Sequence, residues 1–114
     1  MSTSRATPRT DYAAQWDDDC VDRQMISPGA QEALGGGRKS FWTGRGILHR
    51  HFRRDWGTVT KEQARRNEDA VHSGGETVGV YPVRGATIVV VVDAVYDAAT
   101  GRRDAASLVL REEY

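Results

Sequence analysis

The chain has 114 residues, 39% hydrophobic and 28% charged, with 16 basic residues balanced by 16 acidic ones. That length holds one domain with a modest core, and zero net charge excludes a uniformly basic nucleic-acid binder. Cys20 is the only cysteine, which excludes an internal disulfide and a cysteine-rich zinc site and fits a reducing compartment.

The N-terminal Met-Ser-Thr-Ser-Arg-Ala-Thr-Pro-Arg lacks the apolar run of a signal peptide, and Ile88-Val89-Val90-Val91-Val92 is too short for a membrane span. A cytoplasmic protein that makes no membrane contact is expected. The charges are unevenly spread. Residues 11–24 hold Asp11, Asp17, Asp18, Asp19 and Asp22 against Arg23 alone, whereas residues 38–66 hold nine cations against Asp55 and Glu62.

Residues 1–24 read as a polar, acidic and mobile arm, with Tyr12 and Trp16 spaced to dock from one short helix. Residues 25–114 read as a single α+β domain. Ser27 and Pro28 start a short helix that Gly35-Gly36-Gly37 ends. Lys39-Ser40 follow those glycines, but Arg38 stands where a glycine must immediately precede the lysine and a helix stands where a strand must precede the loop, so the phosphate-binding pattern is incomplete. A second helix is expected over 46–54, with Ile47, Leu48, His51 and Phe52 as its apolar stripe, stopping at Asp55-Trp56-Gly57. Thr60-Lys61-Glu62-Gln63 has the form of a capping box opening a third helix, which closes at Ser73-Gly74-Gly75.

The remainder reads as β. Strands are expected over 76–83, 86–94 and 106–112, with a hairpin turn at Arg84-Gly85 and a polar loop around Thr100-Gly101. Five β-branched residues without polar alternation suggest a central strand covered on both faces. The expected architecture is two or three short helices on one face of a C-terminal three-stranded antiparallel meander.

In order along the chain, Pro28-Gly29-Ala30 with Ala33-Leu34, Arg50-His51 with Asp55-Trp56-Gly57, Asn67-Glu68 with Ala70, Tyr81, and Glu112-Glu113-Tyr114 form a series. It resembles an uncharacterised family of small bacterial proteins found on plasmids, other mobile elements and chromosomes, often labelled plasmid-related or restriction-subunit-like. The family pattern is a Pro-Gly-Ala-x-x-Ala-Leu helix, Arg-His-x-x-Gly-Asp-Trp-Gly, Asn-Glu-x-Ala, a strand ending in Tyr, and Pro-Glu-Glu-Tyr. This chain departs from it at Val95-Tyr96-Asp97, where the family carries Asp-Arg-Ser, and at Arg111, where it carries Pro. The resemblance implies an accessory or regulatory protein of a mobile element or its host, with modulation of host defence as one such role.

Among candidate sites, His51 and Asp55 lie one helical turn apart, a spacing that serves acid–base chemistry or simply caps a turn. Asp55, Trp56, Gly57 and Asn67 read as a structural motif, with the Asn67 amide expected to find its partners in the 55–57 loop. His49, His51 and His72 are not spaced for a shared metal, and neither a metal nor a cofactor is expected. Arg45, Arg50, Arg53, Arg54, Arg65 and Arg66 come from two consecutive helices and, on one face, form a binding surface for a protein or a nucleic acid. Two functions follow: a small non-enzymatic binding protein, or a RelE- or barnase-like ribonuclease toxin using His51, Tyr81, Arg84 and Arg102. Self-association through an edge strand at 76–83 is a further possibility.

Overall fold

The computed structural model describes residues 10–114, and residues 1–9 of the expected arm lie outside the described residues. From residue 10 onward the chain is anchored. A 3-10 turn at Ala13–Gln15 is flanked by Tyr12 and Trp16, both buried, and the Tyr12 N–H donates to the His72 carbonyl at 2.8 Å. A second turn, Asp18–Cys20, leads into strand β1, Val21–Ile26. Trp16, Cys20 and Val21 share one core cluster with Leu48, Phe52 and Ile88. Residues 10–24 are thus built into the domain, because burying two large aromatics outweighs the polarity of their neighbours.

Helix α1, Pro28–Ala33, is capped as the sequence indicates: the Ser27 hydroxyl accepts from the Ala30 N–H at 3.1 Å. Gly35, Gly36 and Gly37 all take positive φ, a path that side chains resist, and turn the chain directly into α2, Gly37–Phe52. This helix begins well before the expected residue 46. Its buried stripe runs Ser40, Gly44, Ile47, Leu48, His51, Phe52; the first two members are small, so hydrophobic periodicity does not reveal them. Their smallness brings the helix onto the sheet, since a Cβ on Gly44 would stand 3.4 Å from Leu108 and 3.7 Å from Ile26.

Helix α3, Lys61–Ser73, starts with the Thr60 side chain accepting from Gln63 N–H and ends at Gly74 in the left-handed region. Half of the expected capping box is absent. The Gln63 amide donates to Asn67 Oδ1 at 2.9 Å instead of reaching back to the cap.

Strands β2, Thr77–Val83, and β3, Ala86–Val92, form a hairpin whose two turn residues, Arg84 and Gly85, both take positive φ. A short strand β4, Val95–Asp97, and the long β5, Arg102–Leu110, complete a five-stranded sheet of order β1-β5-β3-β2, with β4 pairing β5. The antiparallel run β2-β3-β5 is the expected meander. The expectation of three strands is corrected by β1, which pairs parallel to β5, and by β4. No alternating pattern marks β1, because it is exposed at most positions. On the helix-bearing face Ile88, Val90 and Val92 are fully buried; on the other, Val89 is buried but Val91 only half so, and the expected two-sided cover is incomplete.

Strand β2 is an edge, and other parts of the chain close it. The Asn67 amide donates to the Val78 carbonyl at 2.8 Å and accepts from the Val78 N–H at 3.0 Å. Val80 donates to the Trp56 carbonyl and accepts from Thr58 N–H. The next residue facing outward is Pro82, which has no N–H to satisfy. Asn67→Ala should therefore destabilise the fold by about 2–4 kcal/mol, since both backbone groups lose their partner. Denaturant titration should show a lower midpoint at unchanged slope, and a loss near zero would remove Asn67 from this role.

Candidate functional site

The last turn of α2 points His51 at the core face of β2, where period-two alternation aligns Thr77, Gly79 and Tyr81. The imidazole joins Thr77 Oγ1 through Nε2 and Tyr81 Oη through Nδ1, both at 2.8 Å, and Tyr81 Oη donates to the Asp55 carbonyl at 2.7 Å. A carbonyl only accepts, so the Tyr81 proton is committed to it and the phenol oxygen accepts from His51 Nδ1–H. Nε2 then accepts from the Thr77 hydroxyl. The hydrogen-bond pattern assigns one neutral tautomer.

The chain of bonds is closed off from solvent. His51, Thr77 and Tyr81 are 0% exposed. Trp16, Phe52 and Trp56 surround the imidazole, with the Trp56 ring centroid 4.8 Å away. A Cβ on Gly79 would come within 2.5 Å of both His51 Nδ1 and Tyr81 Oη, so only glycine fits beneath the pair. Burial lowers the His51 pKa to about 3, with Arg103 adding to the shift, and burial also raises that of Tyr81. Neither group changes protonation near neutral pH.

Asp55 takes part through its backbone only. Its carboxylate is held by Arg50 Nε at 2.8 Å and accepts from Gly57 N–H at 3.1 Å. The Arg50 hydrogen bond lowers its pKa. The expected His51–Asp55 acid–base pair does not form. Trp56 fills the core, and Gly57 takes φ +75° where a Cβ would lie 1.8 Å from the Val80 carbonyl. Asn67 is buried as expected, but its partners are Val78 and Gln63, not the 55–57 loop.

Of the residues expected in a ribonuclease, the structure joins His51 and Tyr81 and separates the others. Arg84 lies in the β2–β3 turn, whereas Arg102 starts β5 at the opposite end of the sheet, bonded to Asp22. All six arginines expected on the helical face are exposed. Arg50, Arg54 and Arg66 are paired with Asp55, Glu68 and Glu62; Arg45, Arg53 and Arg65 have no carboxylate partner among the described residues. Arg45 lines a cleft with Gln24 and Met25 of β1. The three histidines are not brought together: His51 is sealed in, and His72 bonds Asp11.

Two features carry no clear signal in the sequence. Arg103, 1% exposed, sits over the Trp16 ring at 4.9 Å and donates to the carbonyls of Gly75, Asp93 and Ala70. Ala70 is in the last turn of α3, so the guanidinium satisfies the negative end of that helix. The other is the pair Phe41 and Trp42 on α2, both more than half exposed and packed edge to face; adjacent aromatics just after the glycine turn are its only trace in the sequence.

The His51 chain has a consequence for stability. The folded state refuses a proton that the unfolded chain takes up below its ordinary pKa of 6.5. Stability is complete above that pH and falls as pH drops toward about 3, by up to about 1.4 kcal/mol per unit. Comparing the parent with His51→Gln between pH 6.5 and about 4.5, above most carboxylate titration, should show the slope in the parent and its loss in the variant. Equal slopes would mean the imidazole is not buried neutral.

No protein-family model, curated protein or solved structure matches the chain.

Proposed function

We propose that this chain is a small non-enzymatic binding protein, acting as an accessory or regulatory component of a mobile element or its host through the exposed arginines of α2, the turn that follows it and α3. The observation that carries the reading is the separation of residue types. His51 and Tyr81, the pair expected to serve proton transfer, are locked in a dry packing contact, while the six arginines of the expected helical face are on the surface and three lack carboxylate partners among the described residues. Among the described residues no helix is long and apolar enough to cross a membrane. The family resemblance draws support from Arg54: the pattern carries Gly there, and Arg54 takes φ +68°, the region that favours glycine. Modulation of host defence rests on that resemblance alone.

An acidic protein surface suits this face better than a phosphate backbone, because Asp55, Glu62 and Glu68 already neutralise half of the six cations. No observation favours the ribonuclease alternative. It needs His51, Tyr81, Arg84 and Arg102 around one phosphate, and the fold distributes them between a sealed core and two ends of a sheet.

Affinity capture from the host should recover a partner that survives nuclease treatment. Arg53→Glu with Arg65→Glu should weaken that capture by about tenfold or more, without lowering thermal stability, as both side chains are exposed and unpaired. Capture abolished by nuclease and steeply salt-dependent would transfer the surface to nucleic acid. RNA cleavage lost on His51→Ala would overturn the reading.

A further inference from the structure

Residues 10–20 are buried against the domain yet bonded to it sparsely. Their two turns close on local bonds, from Trp16 N–H to the Ala13 carbonyl and from Cys20 N–H to that of Asp17. Among the described residues, their hydrogen bonds to the rest of the fold run from Tyr12 N–H to the His72 carbonyl, from the His72 ring to Asp11, and from Arg102 to the Asp19 carbonyl. Both side-chain contacts are exposed. The same segment holds the two buried side-chain polar atoms that lack a partner among the described residues, Gln15 Oε1 and Trp16 Nε1. An unmatched buried donor or acceptor opposes docking, because water satisfies it on release.

The seat beneath this segment is built without it. The Trp16 ring lies 4.9 Å from the Phe52 ring, 5.9 Å from that of Trp56 and 4.9 Å from the Arg103 guanidinium carbon. Arg103 is fixed by the carbonyls of Ala70, Gly75 and Asp93, and Trp56 by Glu68. Tyr12 rests on Gly74 and Gly101, both at positive φ, where a Cβ would stand 3.0 and 3.2 Å from its ring. Those glycines end α3 and lead into β5. Withdrawing residues 10–20 therefore breaks none of the bonds that hold their seat together.

We propose that residues 10–20 form a strap that lifts as one unit, hinged at Val21, while the helices and the sheet stay folded. Burial of Tyr12, Trp16 and Cys20 closes the strap; the unmatched polar atoms and regained chain entropy favour its opening. The hinge lies at Val21 because the ladder with β5 begins there, and Asp22, bonded by Tyr96 and Arg102, anchors the strand just beyond. Lifting bares the rings of Phe52 and Trp56 and the Arg103 guanidinium, a seat already suited to an aromatic side chain. Phe52 runs directly into Arg53 and Arg54, so the strap gates an apolar continuation of the arginine face. The gating rests on the proposed binding function of that face; the lifting does not.

Cys20, 5% exposed and the only thiol, reports on the strap in the full chain. A thiol reagent should modify it in native buffer about tenfold or more faster than global unfolding allows, with a shallow urea dependence, since little surface is exposed. Amide exchange should give Tyr12 N–H the same opening free energy, well below that of Val90 N–H in β3. Leu34→Ala, beside the start of α2 and remote from Trp16 at its end, should lower global stability and leave the Cys20 rate unchanged. Trp16→Ala should raise that rate by about tenfold or more, with the sheet still protected from exchange. A copolymer of glutamate and tyrosine should bind Trp16→Ala about threefold or more tighter than the parent, and polyglutamate should bind both equally. Labelling of the parent that tracks urea as steeply as Val90 exchange, or that rises with Leu34→Ala, overturns the lifting. Equal copolymer binding overturns the gating alone, and no binding of either polymer overturns the acidic-partner reading of the face and the gating with it.

Discussion

The contact between the last turn of α2 and the core face of β2 fixes where most of this fold can go. A neutral imidazole lies there with a hydroxyl on each side, and each polar atom in the line has a partner. In a dry interior a missing link would strand a donor or an acceptor, at a cost comparable to much of a small domain's net stability. The arrangement therefore dictates sequence at several places at once. Position 79 admits only glycine, position 77 needs a hydroxyl, and the chain after α2 must turn sharply enough to bring the Asp55 carbonyl over Tyr81. Trp16 and Trp56 then cover the ring from two parts of the chain. A histidine held this way is a packing element whose polarity enforces a single geometry.

The same turn that receives the Tyr81 proton also guards the sheet. Trp56 and Thr58 bond Val80, and Gly57 approaches so closely that no side chain could stand there. About two turns into α3, Asn67 takes both backbone groups of Val78. The residues that the sequence groups as a motif thus act together on β2, one set on its face and the other along its edge.

Where local chemistry decides, the elements are legible from sequence. Ser27-Pro28 and Thr60 mark helix starts through the N–H groups they satisfy, Gly74 marks an end, and Arg84-Gly85 marks the hairpin. A structural role for Asp55, Trp56, Gly57 and Asn67 is legible too, although their partners on β2 are not. What escapes is set by partners far along the chain. Strand β1 exists because β5, about eighty residues later, offers a free ladder, and its own residues carry no alternation. The first turns of α2 escape because close approach needs Ser40 and Gly44, which look polar or helix-breaking in isolation. Arg103 escapes because an arginine beside another arginine reads as a solvated loop. Only the fold shows that three carbonyls and an indole face surround it. The six helical arginines are the intermediate case: their exposure follows from the helical pattern, but which of them are already paired does not.

Topology also explains why the N-terminal half of the molecule carries the unsolved surface. Strand β1 enters the sheet parallel to β5, and the chain then leaves through α1 and α2 on the helical face. The following segments, from Asp55 to α3, wrap the far edge and close it. The earlier ones leave the outward backbone groups of Asp22 and Gln24 without a partner among the described residues, although Tyr96 and Arg102 bond the Asp22 carboxylate. The carboxylates before β1 have cations beside them in the same copy: Arg102 donates to the Asp19 carbonyl, and Arg45 and His49 line a cleft with Asp18. In a chain of zero net charge, such placement balances charge locally and gives the molecule no general affinity for anions.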